Sequence, residues 1–288
     1  MPITDTNFIT ENQAKREQEL AQMMKSVAEK GNVMPGKLAV VILAAGLGKR
    51  MKSPDKPKVM FEICSKPMIQ YVVELAMKVN PEKIIPIVGH HREQVISLLD
   101  NLFPDEEIQY AVQHEQNGTG HAVMQTEELL KNFDGEVLIL SGDVPLLKLE
   151  TVQKLIAEHF ENKNDATLLT TVFKNAAGYG RIVRDESGNF SEIVEDKDAT
   201  DEQKKINEIN PAIYIVNSKV LFNALKQITP ENNQKEYYLT DIFHFIQKDK
   251  IGSVVTNDEL EVTGVNSIEQ LKEMEEFVKG DRYSFLSC

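Results

Sequence analysis

The apolar run KLAVVIL at residues 37–43 constrains the fold more than any other segment of this chain. It lacks the polar alternation of a half-exposed strand, so it predicts a strand that is buried on both faces of a parallel sheet. Segments typical of helices and strands alternate after it, which predicts βαβ units. The expected fold class is therefore α/β, with a Rossmann-like, doubly wound mixed sheet.

The expected elements follow from hydrophobic periodicity and from turn signals. In the first half we expect strands at residues 37–43, 83–88, 108–112, 136–140 and 166–173, and helices at residues 67–79, 91–99 and 120–131. In the second half we expect two short strands within residues 178–195, a strand at residues 208–216, and helices at residues 218–226, 239–248 and 267–279. The chain accordingly divides into an N-terminal appendage (residues 1–36), a main domain (37–280) and a C-terminal tail (281–288).

Residues 11–30 of the appendage have the composition of an exposed helix, because Ala, Gln, Glu, Lys and Met dominate. Leu20, Met23, Met24 and Val27 recur at helical spacing and would form one apolar stripe. Such a helix would either dock on the main domain or bind a partner, and both interpretations stay open.

The composition argues against several classes of function. The formal net charge of -13 disfavours binding to nucleic acid, which needs a basic surface. No apolar run approaches the roughly 20 residues of a membrane span, and residues 1–36 lack the apolar core of a secretory signal. Two cysteines are too few for a disulfide framework. We therefore expect a cytoplasmic protein that binds neither nucleic acid nor membranes, whereas the oligomeric state is not indicated.

A glycine-containing turn, LAAGLGKRM at residues 43–51, directly follows the first strand. Ligands of open α/β sheets bind at the carboxyl ends of strands, and small residues there let backbone N–H groups approach phosphates. The turn has neither the Walker ending nor the dinucleotide fingerprint. A basic cluster in an otherwise acidic chain suits a triphosphate, and it consists of Lys49, Arg50, Lys52, Lys56 and Lys58. A plain structural turn and a solvated basic loop are the alternatives.

An apolar strand leads into SGDVP at residues 141–145, which places Asp143 at the carboxyl edge of the sheet. Mg²⁺ prefers one or two carboxylates together with substrate oxygens and water. Asp143 is therefore a candidate ligand for a magnesium ion that bridges phosphates, and a structural capping role is the alternative.

The segment QHEQNGTGHA at residues 113–122 joins an amide side chain to a glycine-containing helix start. The N–H groups of residues 118–120 would be free to bind a ligand. The Gln113 amide can both donate and accept, as a pyrimidine edge requires. His114 and His121 also suggest a metal, but their spacing, with no nearby Cys or third His, argues against zinc.

These motifs occur together in one known family. LAAG (43–46), PK (57–58), the segment at 113–122 and GDVP (142–145) resemble the uridyltransferase half of the bifunctional bacterial N-acetylglucosamine-1-phosphate uridyltransferase/glucosamine-1-phosphate acetyltransferase. The similarity continues through GYGRI (178–182), IVEDKDA (193–199), EIN (208–210), EYYLTD (236–241) and GVN (264–266). It covers residues 37–276 in order and with few gaps. It implies a sugar-1-phosphate nucleotidyltransferase with the nucleotide-diphospho-sugar transferase fold.

The resemblance implies a role for each matching residue. The implied catalytic residues are Arg50 and Lys58, which would contact the phosphates, and Asp143. The implied nucleotide-binding residues are Leu43, Ala44, Ala45, Gly46, Gln113, Gly118, Thr119, Ser141 and Gly142. The implied sugar pocket contains Gly180, Glu195, Asn210, Tyr238 and Thr240, and the implied magnesium ligands are Asp143 and Asn266.

The implied reaction is Mg²⁺-dependent transfer of a uridylyl group from UTP to N-acetylglucosamine 1-phosphate. Its products would be pyrophosphate and UDP-N-acetylglucosamine, an amino-sugar precursor of the cell wall. A nucleotidyltransferase for another sugar 1-phosphate and a catalytically idle sensor of sugar nucleotides are the alternatives. The presence of Arg50, Lys58, Asp143 and Asn266 argues against the idle sensor.

Three departures from the family pattern bear on these expectations. Lys49 stands where the family usually has Thr, which adds a charge beside the phosphates. Pro211 and Ala212 follow Asn210 where Thr and Gly are common, so the sugar is less constrained than the nucleotide. The sequence ends soon after residue 279 without the hexapeptide repeats of the acetyltransferase β-helix, so we expect no acetyltransferase activity.

Overall fold

The computed structural model describes residues 37–46, 48–51 and 55–279, without the side chain of Lys49. Its strands are β1 (Leu38–Leu43), β2 (Glu62–Ile63), β3 (Lys66–Pro67), β4 (Lys83–Val88), β5 (Ala111–Val112), β6 (Glu136–Ser141), β7 (Ala166–Val172), β8 (Gly180–Arg184), β9 (Phe190–Val194), β10 (Glu208–Asn210), β11 (Tyr214–Asn217) and β12 (Ile251–Thr256). The appendage, the basic residue Lys52 and the tail lie outside the described residues, so their predicted roles and the domain boundaries stay predictions.

Among the described residues, a 10-stranded sheet runs in the order β5-β4-β1-β6-β11-β7-β10-β8-β9, with β12 paired to β7 beside this path. β1 pairs in parallel with both β4 and β6, and β5 extends this parallel half. The remaining neighbours along the path are antiparallel, whereas β12 runs parallel to β7. The sheet is therefore mixed, and the predicted α/β fold class is confirmed.

The α-helices within the described residues are α1 (Met68–Lys78), α2 (Arg92–Leu102), α3 (Thr119–Met124), α4 (Glu127–Leu130), α5 (Leu149–Glu161), α6 (Ser218–Leu225) and α7 (Ile268–Lys279). The helix predicted at residues 120–131 is thus two short helices. The helix predicted at residues 239–248 is instead a 3-10 helix at Leu239–Phe245, followed by a second one at Lys248–Lys250.

The prediction from sequence missed helix α5 and strand β12, as well as the two-residue strands β2 and β3. The residues Val152, Leu155 and Ile156 of α5 are buried and recur at helical spacing, so the sequence does hold a signal for this helix. In β12, by contrast, the first five residues are half-buried or exposed, which leaves little hydrophobic pattern to detect. Its position is fixed by six parallel register pairs with β7.

The strand predicted at residues 208–216 is broken into β10 and β11, which both pair with β7. Pro211 has no backbone N–H to donate, and Ala212 adopts a left-handed conformation with φ +58°. An L-residue other than glycine is strained in this region. The break lies beside the cavities described below, and it brings Ala212 to their walls.

Apolar side chains pack on both faces of the sheet, as predicted for β1. Val40 and Ile42 join one buried cluster, whereas Ala39 and Val41 join the cluster on the opposite face. A third, smaller cluster joins α1, α7, β2 and the loops after β6 and β12, and it contains Ile63, Met68, Tyr71, Leu146, Val265, Met274 and Val278. No helix among the described residues has the length and apolar character needed to cross a membrane.

Candidate active site

The candidate site lies at the carboxyl ends of β1 and β6. Parallel register sets Leu43 opposite Ser141, so the loops that follow these two strands emerge side by side. They border a cavity of about 520 Å³, which we call the larger cavity. It is lined by Leu43, Ala45, Gly46, Gly48, Arg50, Lys58, Val59, Gln113, Gln116, Gly118, Thr119, Ala122, Ser141, Asp143, Ala212, Glu236 and Asn266.

Three polar side chains that are distant in sequence meet at the wall of this cavity. Lys58 Nζ lies 2.5 Å from Asp143 Oδ2 and 3.0 Å from Asn266 Oδ1. Arg50 is exposed on the same wall. Two cationic side chains and two oxygen donors therefore face one space, which suits a ligand that carries phosphates and a divalent cation.

The backbone holds Asp143 and Asn266 beside each other. The N–H of Val265 donates to the carbonyl oxygen of Asp143 at 3.0 Å, which ties the loop after β6 to the segment before α7. Asn266 is fixed by two further hydrogen bonds, from its N–H to Gln270 Oε1 at 2.8 Å and from its Nδ2 to the carbonyl oxygen of Gly264 at 3.2 Å. Because Nδ2 points to Gly264, the Asn266 oxygen is left facing Lys58.

Small residues shape the turn after β1. A Cβ at Gly142 would lie 2.9 Å from the carbonyl oxygen of Leu43, so the close approach of the two loops requires glycine there. A Cβ at Gly46 would meet nothing within 4 Å, because that glycine faces open space. Ala44 and Gly142 are buried and lie behind the cavity wall, whereas Ala45 and Gly46 are part of the wall. The turn can therefore present backbone to a ligand at Gly46.

Gln113 is almost fully buried at 3% exposure, directly beyond β5. Its N–H donates to the carbonyl oxygen of Val88 at 2.8 Å, and its Nε2 lies 3.0 Å from the carbonyl oxygen of Gly118. Nε2 also lies 3.1 Å from Nδ1 of His121. These contacts orient the Gln113 amide at the wall of the larger cavity.

The start of α3 differs from its prediction. The N–H of Gly120 is not free for a ligand, because it donates to the carbonyl oxygen of Tyr237 at 2.7 Å. Thr119 Oγ1 accepts the N–H of Leu239 at 3.0 Å. Gly118 has φ +106°, and a Cβ there would lie 2.5 Å from the Tyr237 carbonyl oxygen. The glycines at this helix start therefore let residues 237–239 pack closely, which the prediction did not foresee.

A second, smaller cavity of about 210 Å³ adjoins the first. Four of the predicted sugar-pocket residues line it, and they are Gly180, Glu195, Asn210 and Thr240. Five residues line both cavities, and they are Thr119, Ser141, Asp143, Ala212 and Asn266. The two candidate metal ligands therefore face both spaces.

The Asn210 amide has partners within the protein. Its Oδ1 accepts the N–H of Ala212 at 3.0 Å, and the amide lies 2.6 Å from the Tyr214 hydroxyl through Nδ2. Tyr214 is fully buried. Asn210 consequently holds the Pro211–Ala212 break in place as well as lining the smaller cavity.

Tyr238 is the one predicted sugar-pocket residue that the structure does not bring to either cavity. Its side chain is buried, and its hydroxyl donates to Asp198 Oδ2 at 2.9 Å and accepts from Gln234 Nε2 at 2.8 Å. Burial raises the pKa of this hydroxyl, and Asp198 adds to the rise. Tyr238 therefore ties the loop after β9 to the residues before the 3-10 helix at Leu239–Phe245.

The prediction from sequence also overlooked residues of the site. Tyr179 lines the smaller cavity and accepts the Gly264 N–H at 3.2 Å, and burial is the main cause of a raised pKa of its hydroxyl. Arg181 is buried and donates to the Tyr179 carbonyl oxygen and to Asp196 Oδ1. Both residues belong to the motif GYGRI (178–182). The sequence therefore marks their position, but it does not predict their contacts.

Asp143 and Asn266 fit a magnesium ion by the chemistry of their donor atoms. Two oxygens converge on one cationic nitrogen, that of Lys58, and an oxygen pair of this kind leaves the remaining coordination to substrate and water. No group of three or more His, Cys, Asp and Glu side chains suited to a metal occurs among residues 37–46, 48–51 and 55–279. His114 and His121 instead contact Arg92 and Gln113.

Residues 39–262 match the protein family described as nucleotidyl transferase. Proteins named "Bifunctional protein GlmU" are similar to this chain: the protein from Caldanaerobacter subterraneus subsp. tengcongensis is 49% identical over 84% of this chain and 52% of its own length. The protein from Thermoanaerobacter pseudethanolicus is 48% identical over 84% of this chain and 52% of its own length. This chain thus spans about half the length of the curated relatives that it matches.

A solved structure from Bacillus anthracis, described as a glucose-1-phosphate thymidylyltransferase in complex with sucrose, shares the fold. Its TM-score is 0.66 at 18% identity, over 86% of this chain and 99% of that chain. The match over residues 39–262 assigns the family by sequence, and the solved structure shows the same fold. The chain belongs to the nucleotidyl transferase family.

Proposed function

We propose that this chain transfers a uridylyl group from UTP to N-acetylglucosamine 1-phosphate in a Mg²⁺-dependent reaction. UTP would bind in the larger cavity and the sugar phosphate in the smaller one. The observation that carries this proposal is that Asp143 and Asn266 line both cavities. A site shared in this way lies where two phosphorylated substrates would have to meet.

The proposed reaction is an in-line attack by a sugar-phosphate oxygen on the α-phosphorus of UTP. The new P–O bond forms as the bond to the β-phosphate breaks, and pyrophosphate leaves with the bonding electrons. The attacking oxygen is already anionic, so no general base is required. Catalysis then depends on positioning and on neutralising charge.

Four polar side chains of the larger cavity have a role in this scheme. Arg50 and Lys58 neutralise the triphosphate, and they stabilise the charge that develops on the pyrophosphate. Asp143 and Asn266 would hold Mg²⁺, whose charge offsets the repulsion between the two anionic substrates when it is bound. The backbone at Gly46 would approach the phosphates, because no side chain lies between it and the cavity.

The choice of uracil rests on Gln113 and the start of α3. The Gln113 amide lies on the cavity wall, and its Nε2 is oriented by Gly118 and His121. Both Nε2 hydrogens are directed to these two partners, so Oε1 is left to accept a hydrogen bond from an N–H on the edge of a pyrimidine. The sequence resemblance to the uridyltransferase domain points to the same base.

The choice of sugar rests on the smaller cavity. Glu195 can accept a hydrogen bond from a sugar hydroxyl, and Thr240 lies beside it with a 2.9 Å hydrogen bond between the two side chains. A site built to hydrogen-bond a hydroxyl strongly rejects analogues that lack it, because its own polar groups are left unpaired. Ala212 also lines this cavity, so its methyl group can alter the sugar preference.

Pyrophosphate release tests the proposal directly. Purified protein with Mg²⁺ would be assayed with UTP, CTP, dTTP, ATP and GTP against the 1-phosphates of N-acetylglucosamine, glucose, galactose and N-acetylgalactosamine. We expect the highest kcat/KM for UTP with N-acetylglucosamine 1-phosphate. A higher value for another pair would replace that substrate in the proposal, and no release with any pair would support the idle-sensor alternative.

A further inference from the structure

The ammonium group of Lys58 already occupies the space between the two proposed metal ligands. Nζ is 2.5 Å from Asp143 Oδ2 and 3.0 Å from Asn266 Oδ1. The side chains of Lys58 and Asp143 are only 14% and 20% exposed, so water screens their attraction less than it would on an open surface. The Lys58 ammonium would therefore repel a metal cation that approached these oxygens.

The main chain at Lys58 is held by local contacts. Lys58 begins the 3-10 helix Lys58–Met60, and its carbonyl oxygen accepts the N–H of Phe61 at 3.1 Å. Gly48 has φ +58°, and a Cβ there would lie 2.7 Å from the Lys58 Cβ. The absence of a side chain at Gly48 therefore makes room for the aliphatic part of Lys58 beneath the turn after β1.

We propose that Lys58 acts as an internal counter-cation that Mg²⁺ must displace from Asp143 and Asn266. The inference rests on the proposed metal site, and it concerns the protein before any substrate binds. Two cations cannot share the same pair of oxygens at hydrogen-bonding distance without strong repulsion. Mg²⁺ alone is therefore bound more weakly than the two oxygen ligands would otherwise allow.

The same exchange couples the metal to the nucleotide. Lys58 and Arg50 line the larger cavity together, so a triphosphate in that cavity offers the Lys58 ammonium a new anionic partner. When Lys58 moves to the phosphates, Asp143 and Asn266 become free for the metal. Thermodynamic linkage then requires that the metal and the nucleotide each raise the affinity of the protein for the other. Besides neutralising the phosphates, Lys58 thus keeps the metal site closed until they arrive.

Metal binding without substrates tests this inference. Mn²⁺ would be titrated into the nucleotide-free protein, with free Mn²⁺ measured by electron paramagnetic resonance, for wild type and for Lys58→Met. Met keeps the unbranched shape of lysine and removes the charge. We expect Lys58→Met to bind Mn²⁺ about tenfold more tightly, which is the low end of what a hydrogen bond to a charged group contributes.

Lys56→Met is the matched control, because it removes the same charge two positions away in sequence. Lys56 is 41% exposed, and its Nζ is 4.0 Å from Glu62. We expect this variant to change Mn²⁺ affinity by less than about twofold, since exposed charges are screened by salt. Thermal unfolding would verify that each variant is folded, and Lys58→Gln would replace Lys58→Met if that variant does not fold.

Three results would overturn the inference. They are an unchanged or weaker Mn²⁺ affinity in the folded Lys58 variant, an equal gain in Lys56→Met, and no Mn²⁺ binding by wild type and variant alike. The titration contains neither UTP nor a sugar phosphate, so its outcome is separate from that of the pyrophosphate assay. If the substrate assignment fails, a gain in Mn²⁺ affinity in Lys58→Met still supports this inference. If the Mn²⁺ titration fails, the pyrophosphate assay still tests the proposed function.

Discussion

The hydroxyl of Thr240 donates a 2.9 Å hydrogen bond to Oε1 of Glu195 on the wall of the smaller cavity. Burial raises the pKa of the Glu195 carboxyl, and the carboxylates of Asp241, Asp198 and Asp196 raise it further, whereas the Thr240 bond lowers it. A carboxylate surrounded by like charges lowers the stability of the fold. A destabilising carboxylate on a cavity wall is what we expect of a residue that binds a ligand.

We expect Glu195→Gln to raise the free energy of unfolding at about pH 8 and to lose this advantage towards about pH 4. The folded-state pKa of Glu195 lies above its ordinary value of 4.5, so the stability linked to its protonation is present below that pH and is lost as pH rises through the folded pKa. Urea unfolding of both proteins across this pH range measures the difference. A gain that did not vary with pH would contradict the expected role of the charge.

Asp143→Asn should lower kcat by about 100-fold or more while the protein stays folded, because single electrostatic groups in active sites contribute effects of this size. The variant keeps the size of the side chain but leaves Lys58 without its charged partner and a metal without its carboxylate. Pyrophosphate release at low millimolar Mg²⁺ measures the loss. Asp105→Asn removes an exposed carboxylate between α2 and β5 and should leave kcat unchanged. Near-normal turnover in Asp143→Asn would remove Asp143 from the catalytic residues.

Gly142→Ala and Gly46→Ala should separate folding from ligand binding at the same sheet edge. A Cβ at Gly142 meets the Leu43 carbonyl oxygen at 2.9 Å, so we expect a loss of about 1–3 kcal/mol in the free energy of unfolding, as for other overpacked sites. A Cβ at Gly46 meets no protein atom within 4 Å, so stability should be unchanged while the KM for UTP rises. Unfolding curves and steady-state kinetics of both variants provide the comparison. Equal destabilisation of the two variants would show that the Gly46 turn is structural only.

Ala212→Gly should alter the preference for the sugar phosphate without lowering stability. Ala212 has φ +58°, which glycine adopts without strain, and its methyl group is the only side-chain atom that it brings to the shared wall of the two cavities. The ratio of kcat/KM values for N-acetylglucosamine and glucose 1-phosphates measures the effect. Lys163→Gly is the control, because Lys163 is exposed after α5 with φ +52° and should change stability only. An unchanged ratio in Ala212→Gly would exclude this methyl group as a determinant of specificity.

The sequence by itself determined the parallel half of the sheet and predicted the position of the candidate site. The run at residues 37–43 predicts β1 because its apolar pattern is local, and the same holds for α1, β4 and β6. Gly46, Gln113 and Asp143 are predicted at strand or helix ends, where open α/β sheets bind their ligands. Local hydrophobic patterns and turn chemistry suffice for such features, since they involve neighbours within one turn or one strand.

Only the tertiary structure decided which of these residues meet. Lys58 contacts Asp143 and Asn266 across 85 and 208 positions of sequence, and no periodicity relates positions so far apart. The 3-10 helix at Leu239–Phe245 and the half-exposed strand β12 depend likewise on packing against distant elements. Long-range register and side-chain hydrogen bonds form only when the whole sheet assembles, because their free energy belongs to pairs of segments and not to either segment alone.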